Sequence, residues 1–288
     1  MTPSPAVRIA VTIACFNRRE TTLRCLRSLL PQQTDNVTLV VYLVDDASPD
    51  GTGAAVREAF PQVHILTGTG GLFWGGGMHM AMSEAIKHPF DFVLWLNDDV
   101  TLRADAMTEL LAAHGRARIE YGPTPSIIVG AVTDPASGRV SYAGFDRRNW
   151  YHPAQVKPVL PRAGELTACD SMNGNCVMVP AAVVDAIGII DGQLLHRYGD
   201  IDYGYRARRA GTRVLIAPEP IGTCSPNPPV TRNNLAGKSL FQRWKILTAP
   251  LGTPLKPMFR FMWRHGGMVG AAMAGWTTVK VAMTAIKG

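Results

Sequence analysis

The stretch DFVLWLNDDVTL, residues 91–102, sets five apolar residues one asparagine ahead of two adjacent acids. The run from Phe92 to Leu96 has no polar side chain, which suits a strand covered on both faces, as in a parallel sheet between helices. Asp98 and Asp99 follow at its tip. Neighbouring carboxylates repel each other and lose hydration when crowded, so they stay ionised only beside water, hydrogen-bond donors or a cation. A solvated turn before a capped helix accounts for the pair, and so does a metal site.

Upstream, RIAVTIAC (8–15) and VTLVVYLV (37–44) are β-branched, apolar runs of strand length. Between them Leu23, Leu26 and Leu30 recur at helical spacing, and Pro31 closes the segment. A helix from Gly53 to Phe60, a strand at VHIL (63–66), and a helix with Met78, Met82 and Ile86 on one face are expected next. Alternating strands and helices specify an α/β fold with an open parallel sheet, whose ligands gather at the carboxyl ends of the strands. Three features fall at those ends. DDASPDGT (45–52) puts Asp45 and Asp46 at a strand tip and offers Asp50 or Thr52 as a helix cap. GTGGLFWGGGM (68–78) has glycines that permit close backbone approach to a ligand near a helix start. Asp98 and Asp99 are the third. A Rossmann dinucleotide site requires its glycines after the first strand. Here that strand runs into CFNRRE, which has none.

The chain has 288 residues, 47% hydrophobic and 18% charged, which describes a globular protein with room for one large core or two small ones. Its net charge of +7 is uneven: residues 220–288 hold nine Lys and Arg and no acid, leaving 20 against all 22 Asp and Glu before them. Five cysteines without a CxxC pair suit a reducing, cytoplasmic setting. The N-terminal stretch MTPSPAVRIAVTIACFNRRE lacks a basic opening and a small-residue cleavage site, and so reads as a first strand, not a signal peptide.

With VTIACFNRRETTLRCLRSLL, LVDDASPDGT, GLFWGGGM and LWLNDDV in this order, the chain resembles the bacterial family-2 glycosyltransferases, among them rhamnosyltransferases. The resemblance covers residues 7–220 and implies the GT-A fold, nucleotide-diphosphate sugar donors and inversion at the anomeric centre. It matches Asp46 to the acid that contacts the nucleobase, and Asp98 and Asp99 to the acids that meet the ribose and a divalent metal, Mg²⁺ or Mn²⁺. Gly71, Trp74 and Gly75 fall in the glycine segment beside the donor. The family's D-x-D reads NDD here, with Asn97 at the first position. YGDIDYGYRARRAG (198–211) resembles the family's acidic motif before a helix, with Gly199 in place of Glu, and matches Asp200 to the general base. By the same resemblance SMNGNCVMVP (171–180) lines the acceptor side with Asn173 and Gly174, though a tight turn between two strands explains those residues as well.

Chemistry agrees with these positions. A departing nucleotide diphosphate gathers negative charge that a cation on one or two carboxylates offsets, and the attacking hydroxyl needs a base on the opposite face of the sugar. Arg206 and Arg208 are expected either at the diphosphate or on a solvated helix face. Asp202 suits the helix dipole. Trp74 is expected to stack on sugar or base, or to plug the core. His196 is an acceptor contact or a loop residue.

Residues 1–236 thus read as the glycosyltransferase domain, with a nucleotide-sugar-binding half (7–120) and an acceptor-binding half (121–236). Residues 237–288 read as a basic, apolar helical segment. In it Met268, Ala272, Trp276, Val279, Met283 and Ile286 recur every three or four residues, interrupted by Lys280. This suits an interfacial helix on the anionic inner face of a cell membrane, or a helix packed on the domain, better than a spanning one or a nucleic-acid surface. The expected acceptor is a glycan or a lipid-linked sugar in cell-surface polysaccharide synthesis. The alternatives are a sugar nucleotidyltransferase and an inactive binding module of the same fold.

Overall fold

In the computed structural model, which describes residues 6–227, 235 and 237–287, β1 (Val7–Cys15) and β2 (Val37–Asp45) pair in parallel over their full lengths. α1 (Arg19–Leu29) joins them. α2 (Thr52–Ala59), β3 (His64–Thr67), α3 (Phe73–Ala85) and β4 (Phe92–Leu96) continue the alternation. Then follow β5 (Thr101–Leu102), α4 (Ala106–Tyr121), β6 (Ser126–Val129), β7 (Val132–Thr133), β8 (Val140–Tyr142), β9 (Gly144–Arg147), β10 (Val156–Val159), β11 (Thr167–Cys169), β12 (Ser171–Met172) and β13 (Cys176–Pro180). α5 (Ala181–Ile187), α6 (Gly199–Arg209), β14 (Arg213–Ile216), β15 (Gly222–Thr223), α7 (Leu240–Leu247) and α8 (Leu255–Lys287) complete the order.

The main sheet has eight strands in the order β11-β14-β6-β13-β4-β1-β2-β3. Its first half, β4-β1-β2-β3, is wholly parallel, as the alternation requires. β13 enters antiparallel between β4 and β6, so the second half is mixed. An apolar run buried on both sides looks the same in either direction, which is why its orientation is silent in the sequence. Two small sheets, β10-β9-β12 and β5-β15-β7-β8, flank the main one.

Two-sided burial explains the unbroken apolar strands. Ile9, Val11 and Ile13 of β1 and Leu94 of β4 face the helix α1 side with Leu23, Leu26 and Leu110. Val93 and Trp95 face the opposite side with Met78, Met82 and Tyr203. α3 begins at Phe73, so Gly75, Gly76 and Gly77 lie inside the helix and not in a loop before it. Close packing is the reason: a Cβ on Gly77 would come within 2.7 Å of Ala14 Cβ, and one on Gly75 within 2.2 Å of the Leu194 carbonyl oxygen.

The C-terminal segment does two things at once. Gly267, at φ 56 and ψ −144, breaks α8 into two arms. On the first, Met258, Phe261 and Met262 are buried against Leu194 and Tyr205. On the second, Met268, Trp276, Val279, Met283 and Ile286 are exposed, while Ala274, Val281 and Ala285 face inward. By length and composition α8 is the one helix among the described residues apolar enough to cross a membrane. All five cysteines are free and buried.

Candidate active site

The carboxyl ends of β1, β2 and β4 open into one cleft of about 440 Å³. Asp46, Trp74, Asp98, Asp99, Asn173, Gly174 and Asp200 all line it, whereas Gly71, Gly75 and Arg206 do not. Gly71 is exposed with open space around it, and the Gly75 N–H donates to the Leu195 carbonyl, so both shape the neighbourhood of the cleft without lining it.

The paired acids after β2 are committed to backbone. Asp45 accepts the N–H of Ser48 at 3.0 Å and that of Gly53 at 3.1 Å, and so caps α2. Asp50, an expected cap, accepts the N–H of Thr52, the first residue of α2, at 3.0 Å and also that of Arg19 at 3.0 Å, so the two acids share the start of the helix, whose N-cap position itself is Gly51. Asp46 accepts three N–H groups, from Gly70 at 2.7 Å, Leu72 at 2.8 Å and Phe73 at 3.2 Å, which fixes the turn into α3. The first task of Asp46 is therefore to clamp the glycine turn, and any nucleobase contact is made with a carboxylate already holding three donors.

Asn97 accounts for the departure from the family's D-x-D. It accepts the indole N–H of Trp74 at 2.7 Å. This holds the ring against Gly174, where a Cβ would come within 2.3 Å of it. Trp74 also meets buried Trp95 edge-on at 6.0 Å, so it packs half-buried against the core and lines the cleft from a fixed position.

Asp98 is almost fully buried. Burial pushes its carboxyl up to about 7; Arg18 opposes this and the neighbouring Asp99 adds to it. Thr22 Oγ1 donates to it at 3.4 Å. Arg18 Nη1 reaches both acids, at 3.2 Å from Asp98 and 2.8 Å from Asp99. Asp99 also meets the thiol of Cys224 at 3.4 Å. Two adjacent carboxylates, one pushed towards neutrality for want of a stronger countercharge, form the hard oxygen donor set that Mg²⁺ or Mn²⁺ suits. Among the described residues no group of three or more His, Cys, Asp and Glu could hold a metal. Water and ligand phosphate would complete the coordination, as is usual for Mg²⁺.

Across the cleft, Asp200 opens α6. Burial pushes its carboxyl up to about 6, while the N–H groups of Ile201 at 2.8 Å and Gly174 at 3.2 Å draw it back down. Asn173 and Gly174 do not form a hairpin turn, because β12 pairs with β9 and not with β13. Gly174 is instead a donor to the candidate base. His196 lines the cleft too, its imidazole held below the usual range by burial and by Arg197.

Arg206 and Arg208 do not line the cleft. Arg206 shares a helix face with Asp202, four residues earlier, and bonds to it at 2.9 Å and to the carbonyls of Ile187 and Ile189. Arg208 pairs with Asp170 outside the cleft. Asp202 is also more than a dipole partner: fully buried, it meets Arg206, Arg264 at 2.6 Å and His265 at 2.8 Å. Burial raises its carboxyl, and these three partners outweigh that and hold it at about 2. Arg264 thereby latches α8 to α6, the helix that carries Asp200, and Arg264 and Arg260 both bind Asp191 in the loop before that helix. Arg18 and this latch escaped the sequence reading, since each joins residues more than 60 positions apart.

The chain is similar to known proteins. A family model, "Glycosyl transferase family 2", matches residues 10–163. Among curated proteins, the undecaprenyl-phosphate mannosyltransferase of Micrococcus luteus is 26% identical over 225 residues, 74% of this chain and 82% of the relative. The low-salt glycan biosynthesis hexosyltransferase Agl10 of Haloferax volcanii is 23% identical over 154 residues, 53% of this chain and 48% of that protein, so the chain spans about half the length of that relative. Among solved structures, the mannosyltransferase PcManGT from Pyrobaculum calidifontis, in complex with GDP-Man and Mn²⁺, aligns at TM-score 0.54 and 15% identity, over 99% of this chain and 76% of its own. S. aureus TarS 1-349 aligns at TM-score 0.55 and 14% identity, over 90% and 74%. At such identities the likeness is one of fold, and it is the mixed α/β GT-A arrangement of a central sheet flanked by helices. With the family model matching more than half of its length, the chain belongs to glycosyl transferase family 2.

Proposed function

We propose that this protein is an inverting glycosyltransferase that moves a sugar from a nucleotide-diphosphate donor to a hydroxyl of a glycan or lipid-linked acceptor. The observation that carries the reading is the meeting of Asp98, Asp99 and Asp200 in one cleft at the sheet's carboxyl edge. Residues 7–120 supply the donor side and residues 121–236 the acceptor side.

Asp200 takes the proton from the acceptor hydroxyl as that oxygen attacks the anomeric carbon. Its raised pKa makes it a stronger base than an ordinary carboxylate while it remains ionised at neutral pH. Gly174 N–H orients one of its oxygens and Ile201 N–H the other. Trp74, held by Asn97, offers a flat apolar wall to the sugar. The Asp46 clamp shapes the turn that meets the nucleotide. Asp98 and Asp99 would hold Mg²⁺ or Mn²⁺, which when bound offsets the charge of the leaving diphosphate.

The relatives guide the choice of substrates. The Micrococcus relative is named for mannosyl transfer to undecaprenyl phosphate, and the Pyrobaculum structure holds GDP-Man. GDP-mannose with a polyprenyl phosphate is accordingly the first pair to try, beside UDP-sugars and dTDP-rhamnose. The exposed apolar stripe of α8, in a segment (237–288) with eight Lys and Arg and no acid, supports seating on the anionic inner face of a cell membrane. The test is release of nucleoside diphosphate from each donor, with and without polyprenyl phosphate. Acceptor-dependent release that is lost in Asp200→Asn supports the reading, and release by that variant at the wild-type rate refutes the base.

A further inference from the structure

The cation that faces the acid pair is Arg18, and it is weakly moored there. Its backbone is fixed: Asn17, at φ 54, donates its N–H to Ser48 Oγ at 2.9 Å, Arg19 N–H donates to Asp50 at 3.0 Å, and the Arg18 carbonyl accepts Thr22 N–H at 2.9 Å. Its side chain is 44% exposed. A guanidinium carries five N–H donors in a planar fork. Among the described residues only one nitrogen, Nη1, is engaged, and it serves Asp98 and Asp99 together. Arg18 is also the only Lys or Arg among the described residues lining the cleft, against four acids: Asp46, Asp98, Asp99 and Asp200. A diphosphate entering there has one described side-chain cation to meet. An arginine fork suits phosphate oxygens bidentately.

We propose that Arg18 holds the cation position between Asp98 and Asp99 in the free protein and passes to the donor's diphosphate when divalent cation and nucleotide bind together. The inference rests on the donor reading given above. A divalent cation arriving alone has to displace a positive charge from its two carboxylates into solvent, with no new anionic partner for it. Arriving with a diphosphate, it leaves Arg18 with a new anionic partner. Cation and nucleotide therefore bind with positive coupling, which by linkage is the same in either order. Arg18 is in this sense a positioning residue, one that sets when the acid pair is open to a metal.

The test uses full-length wild type, Arg18→Gln and Arg18→Lys, with binding of Mn²⁺ alone followed by electron paramagnetic resonance, then repeated with GDP and with UDP. Arg18→Gln removes the resident charge, so it should bind Mn²⁺ alone about tenfold or more tighter than wild type. It should also lose most of the enhancement that nucleotide gives. Arg18→Lys, which keeps a charge, should stay close to wild type. Equal or weaker binding of Mn²⁺ alone by Arg18→Gln overturns the proposal while leaving the glycosyltransferase reading intact. Mn²⁺ bound by none of the three proteins, with or without nucleotide, removes the acid pair as a cation site and so overturns the proposal from below. Thermal melts of the three proteins establish that folded states are being compared.

Discussion

Trp74 donates its indole N–H to Asn97 Oδ1 at 2.7 Å, which joins the glycine segment to the tip of β4. The position needs an acceptor, and asparagine supplies one without adding a third carboxylate to the pair that follows.

Asn97→Ala should therefore free the ring and leave its N–H without a partner, at a cost of about 1–3 kcal/mol where the group is shielded from water. The expected fall in kcat/KM is about tenfold to a hundredfold, with the fold retained. Asn97→Asp keeps an acceptor and should keep more of the activity. An alanine variant with wild-type kinetics would show that catalysis does not depend on where the indole sits.

The base proposed at Asp200 gives a pH dependence of defined sign. Asp200 has to be ionised to take a proton, and burial pushes its carboxyl up to about 6. At saturating donor and Mn²⁺, kcat should rise through about pH 6 and level above it. Asp200→Asn should lower the rate by about 10² or more and abolish that limb. A rising limb unchanged in the variant would assign it to another group.

Asp98 makes a stability prediction in the opposite direction from most carboxylates. Its folded-state pKa, pushed up to about 7 by burial, lies above the unfolded value of about 4. Between those two pH values the folded chain keeps a proton that the unfolded chain has lost. Stability from this group is present below about pH 4 and is lost as pH rises to about 7, by at most about 4 kcal/mol. Without divalent cation, Asp98→Asn should flatten that decline in Tm while abolishing donor turnover. An equally steep decline in the variant would mean that Asp98 is not the group responsible.

The two arms of α8 should separate by mutation. Arg264→Ala removes one of three partners from fully buried Asp202 and one of two arginines from Asp191. It should lower stability by about 1–3 kcal/mol, because the acids keep their other partners. Trp276→Glu with Met283→Glu lies on the exposed arm, 53% and 42% exposed, and should leave Tm unchanged. That pair should reduce binding to anionic vesicles, measured by sedimentation. Vesicle binding equal to wild type would remove the stripe as a membrane contact.

What the sequence discloses follows from how local each cause is. β1, β2 and β4 are legible because burial on both faces leaves unbroken apolar runs, and Asp98 and Asp99 are legible because they end one of them. The start of α3 is misread because Gly75 and Gly77 look like loop residues, when their use is to let the helix approach Leu194 and Ala14. Arg206 is misplaced because a motif fixes order along the chain, whereas helix phase turns this side chain towards Asp202. The partners of Arg18, and those of Asp202 on α8, lie some 60 to 80 residues away, and only the folded chain brings them together.

In the proposed reaction the acid pair binds a nucleotide-diphosphate sugar through a divalent cation. Calorimetric titration of GDP-mannose, UDP-glucose, UDP-N-acetylglucosamine and dTDP-rhamnose, each with Mn²⁺ and then with EDTA, tests it most directly in wild type and Asp99→Ala. Saturable binding of at least one donor with Mn²⁺, lost both in EDTA and in Asp99→Ala, is the predicted result. Donor binding that survives chelation and the Asp99 substitution alike would contradict it.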